Sequence, residues 1–240
     1  KAMHFYEAPL GGLGSLGAFL LMEAPRQQGI PVVLSGEGSD ETFGGYKYYY
    51  DAYFRDLYEA GDHDTLRHEL AAYATAMGEP SVDPGSSEFL QRFVHASDSL
   101  KAPDGTTLGG KAFLSPEFVE SMETSASEPF GAGSHLRSTM LRDLYKQKMP
   151  KLLWFQDRAS MAWGVETRVP FVDHELIEKS YCLPDRWMIR DGEAKYLPKR
   201  LLRRFCNVET QKSVKHFVAV PQREWIKDAL FDDINSYLDD

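Results

Sequence analysis

The 240-residue sequence contains only two cysteines, Cys182 and Cys206, and two cysteines cannot form a disulfide framework. It also lacks an apolar run near the roughly 18 residues that a transmembrane helix needs. Its first residues do not form the basic and apolar regions of a signal peptide. We therefore expect a cytoplasmic protein in a reducing compartment, with no membrane partner.

Positive charge is scarce in the first part of the chain. The formal net charge is −9, and only 8 of the 27 Lys and Arg residues lie within residues 1–135. This balance argues against nucleic-acid binding, which needs a basic surface. If a phosphate-bearing ligand binds, its cationic partners come mainly from the second part. The alternative is that these charges only form solvated faces of opposite sign.

One segment is predicted to be a strand, and most of the others are predicted to be helical. Val32–Leu34 follow Pro31 and end at glycines, which is typical of a buried parallel strand before a tight turn. A single parallel strand is not stable alone, so its partners are either unrecognised here or precede Lys1. A loop-rich stretch spans 78–133, with a short helix beginning at Ser115. Helices are predicted over 13–28, 46–59, 63–77, 136–148, 151–163, 173–181 and 195–205.

The most informative segment is LSGEGSDETFGGY, residues 34–46. Its small residues would let a ligand approach the backbone closely. Glu37, Asp40 and Glu41 follow at the carboxyl end of the strand, where open α/β sheets bind ligands. Three crowded carboxylates repel one another, and a cation such as Mg²⁺ would relieve the repulsion. The alternative is an acidic turn whose carboxylates cap the next helix.

This segment closely resembles the SGEGSDExFGGY motif of the asparagine synthetase family. Three further segments resemble the family in the same order: MAWGVETRVPFVDHELIEKSYCLP, RDGEAKYLPKRLL and VPQREWI. Residues 78–133 have no counterpart. The resemblance identifies residues 1–240 as part of the C-terminal synthetase domain of the glutamine-hydrolysing type. It implies an α/β fold of the adenine nucleotide α-hydrolase kind, a parallel sheet with helices, here represented mostly by its helical C-terminal portion.

The family adenylates the side-chain carboxylate of aspartate with ATP and Mg²⁺, releases pyrophosphate, and lets ammonia attack the acyl-adenylate. The resemblance therefore implies an ATP-dependent ligase that makes asparagine and AMP. Its partners would be aspartate and ammonia, the latter supplied from glutamine by a glutaminase domain, and assembly as a homodimer is left open. Two alternatives are a related enzyme acting on a peptide or antibiotic precursor, and a non-catalytic interaction module.

The resemblance also assigns roles to the residues that bind ligands. Asp40 is implied to bind Mg²⁺. Leu34, Ser35 and Gly36 are implied to contact the AMP part of the nucleotide. Glu37, near the acyl carbon, is implied to hold ammonium and accept its proton. Relatives that close β-lactam rings carry tyrosine at that position, so Glu37 argues against their substrates.

Two basic residues complete the predicted catalytic set. Lys195 matches the lysine that neutralises pyrophosphate and the transition state. The alternative is a solvated lysine in a first helical turn, where the helix dipole mildly disfavours a cation. Arg168 belongs to the ExRVP element beside the family's active site, although it could instead form a structural pair with Glu166.

One family motif, the SGGxDS pyrophosphate loop, is absent from these 240 residues. In the family its backbone amides cradle the phosphates and its aspartate binds a second Mg²⁺. Losing one transition-state donor commonly costs about 2.7 to 4 kcal/mol, so losing the whole loop should leave negligible turnover. The sequence therefore predicts a fragment that is inactive alone and needs a segment from upstream of Lys1 or from another chain.

Overall fold

The computed structural model describes residues 1–8, 13–94, 115, 117, 133–206, 221–228 and 230–238. Within these residues the chain is mostly helical, with two short pairs of strands. In chain order the elements are α1 (Ala2–Tyr6), α2 (Leu13–Leu21), α3 (Glu23–Gln27), β1 (Val32–Leu34), α4 (Ser39–Phe43), α5 (Tyr48–Glu59), α6 (His63–Met77), α7 (Ser87–Phe89), α8 (His135–Arg142), α9 (Met149–Met161), β2 (Glu166–Arg168), α10 (His174–Tyr181), β3 (Ile189–Arg190), β4 (Glu193–Ala194), α11 (Tyr196–Phe205), α12 (Gln222–Lys227) and α13 (Phe231–Leu238).

The chain divides into two compact units. The first comprises Lys1–Ser35, Leu153–Arg168 and Val208–Asp240, and the second comprises Gly36–Leu152 and Val169–Asn207. None of the helices within the described ranges has the length and apolar character needed to cross a membrane.

The first unit contains the predicted strand and a partner that the sequence did not reveal. β1 pairs in parallel with β2, with Val33 opposite Thr167. The predicted strand is confirmed. The prediction that this strand is buried is wrong, because Leu34 is 75% exposed and the two valines of β1 are only partly buried. The partner was missed because Glu-Thr-Arg shows no apolar pattern. At least one neighbouring strand was therefore unrecognised rather than upstream.

Aromatic side chains form the core of the first unit. Tyr6 and Phe19 are buried and their rings meet edge to face at 5.9 Å. Two hydrogen bonds fix this arrangement: the Tyr6 hydroxyl donates to the Ser15 carbonyl at 2.9 Å, and the Trp163 indole donates to the Phe19 carbonyl at 2.8 Å. The predicted helix over 13–28 is interrupted at Met22, since Pro25 cannot donate a backbone bond to the preceding turn.

The second unit is organised around α5 and α6. Tyr49, Tyr50, Tyr53 and Phe54 recur at helical spacing on α5 and are all buried. The helix α6 begins where its N-cap Asp62 accepts the Thr65 amide at 3.2 Å, and it ends at Gly78 in the left-handed conformation. Both ends of this helix were predicted.

Most other predicted helices are confirmed with adjusted bounds. The helix over 136–148 appears as α8, followed by a π-helical turn over Asp143–Gln147. The stretch after Gly78, predicted as loops with short helices, contains α7 and a π-helical continuation, Leu90–Val94. The short helix predicted to begin at Ser115 falls outside the described residues, apart from single positions.

Candidate functional site

The SGEGSDE turn leads into the short helix α4 of the second unit. Gly38, just before this helix, has a φ of 86°, and a Cβ there would lie 2.3 Å from Val172 Cγ1. The buried Thr42 hydroxyl donates to the Phe171 carbonyl at 2.9 Å. The turn is therefore held against the 3-10 segment Pro170–Val172, and only glycine fits at its tightest point.

Lys195 lies against the start of α4. Its ammonium is 3.0 Å from Asp40 Oδ1 and donates to Ser39 Oγ at 2.8 Å. Both charged side chains are largely shielded, with 25% and 22% of their surfaces exposed. The structure thus brings together two of the predicted site residues, which are distant in sequence, and adds Ser39, which the sequence analysis missed.

Glu37 experiences the charges of both these residues. Burial raises the pKa of its carboxyl, the negative charge of Asp40 raises it further, and Lys195 opposes the rise. A carboxylate with a raised pKa is a stronger base, and so it takes up a proton more readily. Glu37, Asp40 and Lys195 therefore form one electrostatically coupled group.

Two glycines, Gly44 and Gly45, allow the chain to pack closely against the group formed by Glu37, Asp40 and Lys195. A Cβ on Gly45 would lie 1.9 Å from Asp40 Oδ1 and 2.3 Å from Lys195 Cε. Gly44 has a φ of 74°, which favours glycine. The adjacent glycines were a usable signal, because a glycine pair straight after an acidic helix indicates close packing.

The third carboxylate of the motif turns away from this group. Glu41 is 1% exposed and accepts the Tyr46 hydroxyl at 2.7 Å. Burial raises the pKa of Glu41, while the Tyr46 hydrogen bond lowers it. The predicted crowding of three carboxylates is therefore reduced to two, Glu37 and Asp40.

Lys195 is placed by a hairpin that the sequence analysis did not predict. β3 and β4 pair antiparallel with Arg190 opposite Glu193. The two turn residues, Asp191 and Gly192, have φ values of 54° and 69°, as in a type I′ turn. The Asp-Gly dipeptide was the available signal. Lys195 follows the hairpin and itself has a φ of 54°.

Two of the remaining predicted residues, Leu34 and Arg168, are the last residues of β1 and β2. Ser35 and Gly36 follow Leu34 in the chain. The Ser35 amide donates to the Arg168 carbonyl at 2.9 Å. A Cβ on Gly36 would meet nothing within 4 Å among the described residues, so this glycine leaves open space. Arg168 Nε donates to Glu166 Oε1 at 2.7 Å, and this pairing raises the pKa of Arg168 and lowers that of Glu166. An ion pair with Glu166 was the alternative to a catalytic role for Arg168, and the structure contains this exposed pair. The catalytic role of Arg168 stays a prediction.

The family model described as asparagine synthase matches residues 1–240. The chain belongs to the asparagine synthase family. The whole chain is matched, including the stretch over 78–133 for which the sequence analysis found no counterpart.

Several known proteins are similar to this chain in sequence. The chain is 27% identical to Amidase chry2 of Gibberella zeae over 92% of its length and 28% identical to Amidase chyE of Penicillium rubens over 91%. It is 22% identical to asparagine synthetase 1 of Bacillus subtilis over 96%. It spans only 36 to 37% of the length of these relatives. No solved structure matches the chain.

The residues around Lys195 fit a hard cation as well as a phosphate-bearing ligand. Asp40, Glu37 and Ser39 offer carboxylate and hydroxyl oxygens, which are the ligand types that Mg²⁺ prefers. Mg²⁺ is commonly held by one or two carboxylates and substrate phosphates rather than by a complete protein cage. Lys195 supplies a fixed positive charge at the same place.

Proposed function

We propose that this chain is the larger part of an ATP-dependent amide-ligase domain that adenylates aspartate and transfers ammonia to it, giving asparagine, AMP and pyrophosphate. The observation that carries the proposal is the pairing of Lys195 with Asp40 beside Glu37. Membership of the asparagine synthase family supports the reaction class. We assign the domain to the adenine nucleotide α-hydrolase fold. The proposed reaction would require ATP and Mg²⁺.

Lys195 and Asp40 serve the first half of this reaction. A carboxylate oxygen of aspartate attacks the α-phosphorus of ATP and pyrophosphate leaves. Lys195 neutralises the negative charge that develops on the phosphates, and Asp40 is the residue that would hold Mg²⁺. Fixed charges in a shielded site stabilise a transition state better than water does, since they need no reorganisation. The low exposure of both side chains supports this role.

Glu37 serves the second half. Ammonia attacks the acyl carbon, AMP leaves, and the nitrogen loses a proton. The carboxylate of Glu37 takes up that proton, and its raised pKa, caused first by burial and then by Asp40, makes it a stronger base than an ordinary glutamate. The same carboxylate would hold ammonium before the attack.

The other assigned residues keep the roles that the family resemblance implies. Leu34, Ser35 and Gly36 are proposed to contact the AMP part, and Arg168 is proposed to have a catalytic role. The pyrophosphate loop, which these 240 residues lack, would complete the site. We therefore propose that the chain alone has negligible activity and that ammonia is delivered by a glutaminase domain.

ATP–pyrophosphate exchange tests the proposal. The protein would be assayed with aspartate and Mg²⁺, both as this chain and in a form extended upstream through an SGGxDS loop. Exchange is expected only in the extended form, and Lys195→Ala and Asp40→Ala in that form should abolish it. Lys179→Ala and Glu175→Ala, at an exposed ion pair on α10, are the matched controls. No exchange with aspartate in the extended wild type would refute asparagine synthesis.

A further inference from the structure

The turn between β3 and β4 rests on a buried carboxylate of α6. Glu69 is only 3% exposed. Its Oε1 accepts the Asp191 amide at 2.9 Å, and its Oε2 accepts the Gly192 amide at 3.0 Å. Both oxygens are thus used by consecutive backbone N–H groups of the turn. Charge-assisted bonds of this kind are stronger than neutral ones.

Gly192 brings the turn onto the backbone of α6. The buried Tyr50 hydroxyl donates to the Gly192 carbonyl at 2.9 Å. A Cβ on Gly192 would lie 2.4 Å from the Ala72 carbonyl carbon and 2.6 Å from its oxygen, both backbone atoms that cannot move aside. The turn therefore has one position relative to α6.

The β3–β4 turn lies close to Lys195 along the chain, so the position of the turn constrains the position of Lys195. Only Glu193 and Ala194 separate Gly192 from Lys195, and Ala194 is paired with Ile189. On the other side, the Tyr196 amide donates to the Met188 carbonyl at 3.0 Å. Lys195 is left-handed, a conformation that non-glycine residues seldom adopt and that persists when the surroundings determine it.

We infer that Glu69 is a positioning residue for Lys195: by holding the β3–β4 turn on α6, it sets where the Lys195 ammonium meets Asp40 and Ser39. The inference rests on the proposed function for its catalytic consequence, but its structural part stands on these contacts alone. It concerns a residue outside every segment that resembles a family motif, and one that contacts neither Asp40 nor Ser39 in the hydrogen bonds and ion pairs above.

A metal site at the same place is less well supported. Ligand atoms of His68, Glu69 and Asp191 lie within 4.8 Å of one another. Both Glu69 oxygens, however, already accept backbone amides, and His68 Nε2 pairs with Asp191 Oδ1 at 2.9 Å. These contacts account for the cluster without an ion.

Glu69→Gln tests the inference in the extended, loop-containing protein. The variant keeps one acceptor oxygen but turns an NH₂ group towards a backbone N–H, so the turn loses one support. Because displacements near 1 Å can cost about 100-fold in rate, we expect kcat for ATP–pyrophosphate exchange to fall roughly 10- to 100-fold, with little change in KM for ATP or aspartate. His68→Ala, which removes an exposed contact to the same turn, should leave exchange unchanged.

Lysine acylation followed by mass spectrometry gives a readout independent of activity. In Glu69→Gln, the acylation rate of Lys195 should rise as it leaves Asp40, while Lys148, held 3.9 Å from the Tyr46 ring in the same unit, should stay unchanged. Equal rises at both lysines would show general loosening and overturn the inference, as would an unchanged Lys195 or unchanged exchange. If the extended wild type shows no exchange, the proposed function fails, and acylation alone decides the role of Glu69.

Discussion

At the scale of single residues, neighbouring acidic side chains in one motif have separate surroundings. Successive residues on a helix point about 100° apart, so when Asp40 faces Lys195, Glu41 faces the core and Tyr46. The resemblance directed attention to Asp40 and Lys195, and the structure places these two side chains in contact. The sequence could not show that Glu41 is buried and Asp40 is not, because aspartate and glutamate are both usually exposed.

Replacing Gly45 by alanine should disrupt the Lys195–Asp40 pair. The new methyl group would occupy space within 2.3 Å of both side chains. We expect ATP–pyrophosphate exchange in the extended protein to fall by about 100-fold, since the charges would be displaced. Gly14→Ala, where a Cβ meets nothing within 4 Å, is the control. Full activity of the Gly45 variant would show that the pair has no part in catalysis.

The raised pKa of Glu37 predicts a pH dependence of stability. A carboxyl with a higher pKa in the folded state binds its proton more tightly there than in the unfolded chain. Its contribution is therefore fully present below the unfolded value of about 4.3 and is lost as pH rises through the raised pKa. Glu37→Gln should reduce this loss, which unfolding midpoints at pH 4 and pH 7 would reveal. Glu88→Gln, at an exposed position, is the control; an identical pH dependence in both variants would contradict the prediction.

At the scale of elements, helix ends were predicted better than the hairpin or the second strand. Capping residues act locally, so Asp62 and Gly78 can be recognised from their neighbours. β2 has only three residues, and it pairs with β1, which is distant in sequence. β3 and β4 have two residues each and pair across a tight turn, so neither is long enough to show an alternating pattern. The Asp-Gly dipeptide is typical of such a hairpin turn, and it was the signal that could have predicted this one.

Two aspartates near the start of α6 have different surroundings. Asp62 accepts the Thr65 amide, whereas Asp64 lies within the first turn and pairs with Arg67 on the surface. Asp62→Ala should lower the free energy of unfolding by about 1 kcal/mol, measured by urea denaturation. Asp64→Ala should change it by under about 0.5 kcal/mol. Equal losses would show that the observed cap is not what stabilises this end.

At the scale of the molecule, the second unit is stabilised by an aromatic core next to its charged group. Phe54 is fully buried, with ring centroids 5.3 Å from Phe93 and 5.5 Å from Tyr73. Phe54→Ala should lower the free energy of unfolding by about 3 to 5 kcal/mol in urea denaturation. Phe205→Ala, at a side chain 75% exposed, should have an effect near zero. A small loss at Phe54 would contradict the observed packing.

The proposed adenylation of a carboxylate is tested most directly by following the oxygen atoms of that carboxylate. Aspartate labelled with ¹⁸O in its side-chain carboxylate would be incubated with ATP, Mg²⁺, ammonia and the extended, loop-containing protein. Attack on the α-phosphorus followed by amide formation leaves one carboxylate oxygen on the phosphate, so the AMP should carry one ¹⁸O per asparagine formed. Unlabelled AMP, or ADP in its place, would contradict the account.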